Sequence, residues 1–116
     1  MLSSLSQSFT FGRLLGVTPI TTAQLKQKVT DGETMVVDYF ATWCGPCKAL
    51  KPTFHQLADD KKFEKVSFYT IDIDENYDAG VLSVPTVRSF HMGDQMDEMI
   101  GWQGPDRLEE LVKQAM

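Results

Sequence analysis

Residues Thr34 to Ala41, TMVVDYFA, form a β-branched and aromatic run with no turn residue inside it. Such a run is the mark of a strand buried on both faces. Just beyond it, after CGPC, the apolar positions Cys47, Leu50, Phe54, Leu57 and Ala58 recur with the 3.6-residue period of a helix that covers something apolar. A central strand running straight into an amphipathic helix confines the chain to α/β architectures in which helices flank a sheet. Pro52 lies inside that helix and should kink it.

The remaining segments fit this frame. TTAQLKQKV reads as a helix start, with Thr21 as N-cap and Gln24 completing a capping box. KVSFYTIDI (Lys65 to Ile73) reads as a second strand and ENYDAGVL (Glu75 to Leu82) as a short third helix. TVRSFH is a third strand, Met92 to Asp94 a hairpin turn, and QMDEMI the returning strand. Pro105 marks the start of a last helix that sets Leu108, Leu111, Val112 and Ala115 on one face. The expectation is a mixed sheet of about four to five strands with helices on both faces. The first two strands should be parallel, because a helix crosses between them, and the hairpin pair antiparallel. A chain of 116 residues holds one such domain. We assign it to residues 17–116, leaving residues 1–16 as an extension.

Composition narrows the function. A net charge of −5 is unlike the basic stripe of a nucleic-acid binder. Lys61, Lys62 and Lys65 sit beside Asp59, Asp60 and Glu64, and the run reads as a solvated face. No apolar stretch approaches the ~20 residues of a membrane span. Residues 1–16, MLSSLSQSFTFGRLLG, are Ser- and Leu-rich, free of acids and carry one Arg, Arg13. That profile fits either an organellar presequence or a plain N-terminal extension. The expected location is therefore intracellular: cytoplasmic, or a mitochondrion-type organelle if the segment is a presequence.

Cys44 and Cys47 are the two cysteines of the chain. A structural zinc site needs four ligands, and His55 and His91 do not supply a second ligand pair at the required spacing. A staple across so short a loop removes little entropy from the unfolded chain. Redox exchange fits best. Cys44 falls at a helix N-terminus, where free N–H groups and the macrodipole favour the thiolate that attacks disulfides. Cys47, three residues on and on the apolar face, becomes the resolving thiol, with Cys44 the exposed nucleophile. Gly45 lets a substrate backbone come close, and Pro46 stiffens the first helical positions. His55 and His91 read as ordinary surface or helix-face residues, and Met92, Met96 and Met99 as packing in the hairpin.

WCGPCK, the preceding VVDYFATW and the later VPT make the chain resemble the thioredoxin family over Val17 to Met116. On its own, Asp38 in its apolar strand is either a carboxylate that finds a hydrogen bond at an edge or one with a raised pKa. The resemblance implies a proton acceptor for Cys47, and it implies that Cys44 and Cys47 alternate between dithiol and disulfide. It makes Pro85 a cis proline packed against that disulfide rather than a plain strand-entry proline. It gives the backbone of Val84 a docking role, with Thr86, Gly101 and Trp102 on the same surface. It turns Trp43 from a core aromatic into a partly exposed lid. The implied activity is reduction of protein disulfides by a monomer that binds no cofactor. Electrons would come from NADPH through a separate flavin-containing thioredoxin reductase, and substrates would include peroxiredoxins. Rival readings are a disulfide oxidase or isomerase module and a redox-independent binding module. Two positions depart from the family pattern. Thr70 stands where a charge beside the buried acid is common, and Trp102 where a smaller residue is common; Trp102 either packs on the last helix or contacts partners.

Overall fold

The computed structural model describes residues 16–116. The expectation of a targeting segment falls on residues 1–15 and Gly16, so nearly all of it lies outside the described residues. Strand β1 (Val17–Pro19) is followed by α1 (Thr22–Thr30), β2 (Met35–Phe40) and α2 (Gly45–Ala58). A 3-10 turn at Lys61–Phe63 leads to β3 (Ser67–Asp72), then β4 (Thr86–His91), β5 (Asp94–Ile100) and α3 (Pro105–Lys113). The five strands lie in the order β1-β3-β2-β4-β5. β3 is parallel to both β1 and β2, whereas β4 pairs antiparallel with β2 and β5. This is the mixed sheet expected from the sequence.

Alternation along the central strand decides which helix covers which face. Val36 shares one face with Phe68, Val87 and Met99, and these pack under Leu50, Phe54 and Leu57 of α2 and Leu108 and Leu111 of α3. Met35, Val37 and Tyr39 point the other way, onto Leu25 of α1, with Ile71 and Phe90 beside them. The sheet is therefore covered on both sides. Asp38, two residues from Val36, shares its face and lies beneath α2.

Local rules account for several boundaries. At α1, the Thr21 side chain accepts from the Gln24 N–H at 3.1 Å and the Gln24 side chain accepts from the Thr21 N–H at 2.8 Å, completing the capping box. The β4–β5 hairpin closes through Met92 and Gly93, both with positive φ, at 51° and 89°. The helix expected over Glu75 to Leu82 does not form; that stretch is a series of turns. Asp72 and Asn76 consume the local backbone groups instead. The Asp72 side chain accepts from the Asp74 N–H, and the Asn76 amide donates to the Asp72 carbonyl while accepting from the Thr22 N–H of α1. Short polar side chains that bond nearby backbone compete with helix formation. Gly80, with φ of 76°, ends the prospect of a continuous helix. Met99 packs in the core as expected, but Met92 and Met96 are exposed, because the hairpin tip and the outer face of edge strand β5 carry no covering element. Lys62 pairs with Glu109 at 2.9 Å in an exposed setting, in keeping with a solvated charged face.

Candidate active site

The strand–helix junction sets the chemistry. β2 ends at Phe40, a tight turn carries the chain through Trp43, and α2 begins at Gly45 with Cys44 as its N-cap. The Cys44 side chain accepts the backbone N–H of Cys47 at 3.1 Å. A sulfur in this position receives one of the otherwise unpaired donors of the helix start, so negative charge on it is stabilised. Cys44 and Cys47 are joined in a disulfide, with Cα atoms 5.3 Å apart. Pro46 occupies the second helical position, where its missing N–H costs nothing. Space around Gly45 is open, and a side chain there would project into solvent.

Exposure does not separate the two cysteines. Cys44 is 4% exposed and Cys47 5%, so the expectation of an exposed Cys44 over a buried Cys47 is corrected. Val84, Ala41, Phe40 and Ile73 form an apolar collar around the disulfide. What distinguishes the sulfurs is electrostatic: Cys44 holds the N-cap position and Cys47 lies a turn inside the helix.

Asp38 is buried at 5% exposure, and its Oδ1 finds no hydrogen-bond partner among the described residues. Burial raises its pKa from 3.8 to about 7, since a carboxylate without a partner loses solvation. In register beside it on β3 stands Thr70, which brings no charge. Asp38 and Cys47 face a common cleft of about 370 Å³, walled by Phe54 and Thr70. A carboxyl group whose ordinary acidity is shifted toward neutrality can take and return a proton near physiological pH.

The opposite rim is built by the segment before β4. The Val84–Pro85 peptide bond is cis and Pro85 is buried. The Val84 carbonyl oxygen lies 3.7 Å from the Cys44 sulfur, so the backbone of Val84 is within reach of anything bonded to that sulfur. Gly101 donates its N–H to the Pro85 carbonyl at 2.8 Å and has φ of 80°. Thr86 is not on the surface: it is buried, and its hydroxyl donates to the Ser83 carbonyl at 2.8 Å, bracing the turn ahead of Pro85. Trp102 is partly buried against the cluster of α2 and α3, as the packing reading holds. Trp43 is 68% exposed, and its indole N–H donates to Asp74 at 2.9 Å. Asp74 carries no signal in the sequence, because nothing in the pattern ties an acid in the turns after β3 to a tryptophan 31 residues earlier. His55, read as a surface or helix-face residue, lies on α2 and lines the cleft with Lys48 and Lys51. Among the described residues, no group of three or more His, Cys, Asp or Glu is placed to hold a metal ion.

Residues 16–114 match the family model described as thioredoxin. A thioredoxin of Aspergillus fumigatus is 40% identical over 103 residues, spanning 84% of this chain and 93% of that protein. The crystal structure of Malassezia sympodialis thioredoxin superposes with a TM-score of 0.76 at 32% identity, over 89% of this chain and 93% of that one. A structure bearing on thiol resolution in yeast mitochondrial 1-Cys peroxiredoxin through the glutathione and thioredoxin systems aligns with a TM-score of 0.74 at 28% identity, over 84% of this chain and 93% of that one. A cysteine pair closing the first turn of α2, set in this sheet and matched along nearly the whole chain, has one reading: the chain belongs to the thioredoxin family and is a thiol–disulfide oxidoreductase with a protein-disulfide reductase role.

Proposed function

We propose that Cys44 is the nucleophile, Cys47 the resolving thiol and Asp38 the proton acceptor. In the reduced protein the Cys44 thiolate attacks one sulfur of a substrate disulfide, forming a mixed disulfide and releasing the other substrate sulfur as a thiolate. Cys47 passes its proton to the Asp38 carboxylate, and its thiolate attacks the Cys44 sulfur. The second substrate thiol leaves and the Cys44–Cys47 disulfide remains. An extended substrate segment lies along the Val84 backbone in a short β-augmentation, bordered by Trp43, Gly101 and the exposed part of Trp102.

The observation that carries this assignment is the 3.1 Å contact from the Cys47 N–H to the Cys44 sulfur. It makes Cys44 the sulfur on which charge is best stabilised. Electrons reach the oxidised form from NADPH through a separate flavin-containing reductase, and peroxiredoxins are the favoured class of substrate. The likeness to the yeast thioredoxin-system structure supports that class. Such partners place the protein in a reducing compartment, the cytoplasm or a mitochondrion-type organelle.

The test is NADPH-coupled reduction of insulin together with trapping. Cys47→Ser should hold substrates as mixed disulfides at Cys44, and Cys44→Ser should trap none. Trapping by Cys44→Ser with none by Cys47→Ser would reverse the assignment.

A further inference from the structure

Strand β5 closes one side of the sheet, and an edge strand carries backbone groups that no neighbouring strand takes up. The phase of the β4–β5 ladder says which groups these are. Gly101 donates to the Pro85 carbonyl, so Met99 and Val87, two residues on, exchange ladder bonds. Glu98 and Ile100, at the alternate positions, turn their N–H and C=O away from β4. Side chains of the same chain meet these outward groups. The Asp97 carboxylate accepts the Glu98 N–H at 2.8 Å, and the Arg107 guanidinium of α3 donates to the Glu98 carbonyl at 3.1 Å. The Gln103 amide donates to the Ile100 carbonyl at 3.1 Å. Arg107 also grips both Asp97 oxygens, at 2.8 and 2.9 Å. A backbone N–H has one proton to donate, so Glu98 cannot join a ladder while Asp97 holds it.

We propose that Asp97 and Arg107 guard β5 against a second copy of this chain, and that without them two copies pair β5 to β5. Three features make a second copy the fitting occupant. The strand Asp94–Ile100, DQMDEMI, holds neither Lys nor Pro, the residues that commonly blunt an edge, so the guard is what stands in their place. In the antiparallel register centred on Glu98, the exposed Met96 of each copy lies opposite the exposed Ile100 of the other, which buries apolar surface twice. The two Glu98 side chains that meet at that centre bring no unopposed charge, because each is already paired with its own Arg88 at 2.8 Å.

The experiment is sedimentation of the reduced full chain over a wide range of concentration, with amide hydrogen exchange read at Glu98. The parent chain should stay a monomer whose Glu98 amide is protected at every concentration. Asp97→Ala, and Asp97→Val with its better strand preference, should associate about tenfold or more tightly than the parent. Their Glu98 amide should exchange fast when dilute and gain protection as the dimer forms. Asp97→Asn is the decisive control. It loses the same charge but keeps an oxygen for the Glu98 N–H, so it should stay monomeric. Adding Glu98→Pro to Asp97→Ala removes the freed N–H without taking a bond from the β4 ladder and should restore the monomer. Folded Asp97→Ala and Asp97→Val chains that stay monomeric would overturn the proposal. So would a dimer whose Glu98 amide exchanges as fast as in the dilute monomer, because another surface would then hold it together. Association of Asp97→Asn as tight as that of Asp97→Ala would assign the effect to lost charge repulsion and likewise overturn the guard.

Discussion

Asp38 and Thr70 stand side by side, paired in register on the parallel strands β2 and β3. Thr70 brings the carboxyl no charge, and the Asp38 Oδ1 accepts no hydrogen bond among the described residues. Burial alone thus governs this carboxyl and moves its pKa from 3.8 to about 7.

The first consequence concerns stability. The folded chain holds the Asp38 proton up to about pH 7, whereas the unfolded chain releases it near 3.8. Between those values the folded state binds more protons, so this group makes stability fall as pH rises from about 4 to about 7 and level off above. The ceiling on the loss is on the order of 4 kcal/mol at about 1.4 kcal/mol per unit. Asp38→Asn should remove that slope. Urea denaturation at pH 5 and pH 8 should show a smaller difference for the variant than for the parent chain. Parallel losses in both would mean that Asp38 titrates normally.

A cation placed beside the carboxyl should act in the opposite direction. Thr70→Lys puts an ammonium on the strand adjacent to Asp38, where it favours the charged form. The Asp38 pKa should drop by about one unit, and stability at pH 8 should rise by about 1 kcal/mol. Carbon-13 titration of the labelled Asp38 carboxyl reads the shift directly. An unmoved titration would show that the lysine turns out to solvent instead.

These two residues also show what was legible beforehand. The apolar run around Asp38 identified a central strand because burial on both faces leaves a pattern in sequence, and the structure sets that strand at Met35–Phe40. TVRSFH forms β4 over the full expected span. By contrast β1, three residues ending in Pro19, carries too little alternation to be read as a strand and exists through pairing with β3. The turns between β3 and β4 look like a helix in sequence because composition there is compatible with one. The deciding bond, from the Thr22 N–H to Asn76, links residues 54 apart and leaves no local trace. In the site, CGPC and Asp38 were visible as chemistry misplaced in apolar surroundings. The shared burial of both cysteines, the buried setting of Thr86 and the cleft along α2 depend on packing between distant segments.

Trp43 and Asp74 make a contact that should matter for large substrates and little for small ones. The indole N–H to Asp74 bond, at 2.9 Å, holds an exposed ring on the residue just before Cys44. An exposed hydrogen bond contributes about 1 kcal/mol or less to holding that orientation, corresponding to about a fivefold effect on docking. Asp74→Ala should therefore raise KM for a protein disulfide about two- to fivefold and leave turnover of a small aromatic disulfide unchanged. Equal losses on both substrates would indicate that the ring supports the disulfide itself rather than docking.

The hairpin tip offers opposite outcomes at adjacent residues. Met92 and Gly93 both have positive φ, the arrangement of a two-residue turn that suits the right-handed twist of β4 and β5 and favours Asn followed by Gly. Methionine is a poor occupant of that region, so Met92→Asn should stabilise the fold by about 0.5 kcal/mol. Gly93 is a different case, since a Cβ there would come within 2.5 Å of the Val29 carbonyl oxygen and 3.2 Å of the Gly32 Cα. Its N–H is also engaged, donating to the Glu33 carbonyl at 3.0 Å. Gly93→Ala must shift backbone on two segments at once and should cost about 2–4 kcal/mol. Thermal unfolding of the two single variants should move Tm in opposite directions, upward for Met92→Asn and downward for Gly93→Ala. The disulfide lies at the other end of β4, so insulin reduction at 25 °C should be the same for Met92→Asn as for the parent chain. A Gly93→Ala variant as stable as the parent would mean that the tip relaxes without disturbing the end of α1, contrary to the close approach of these backbones.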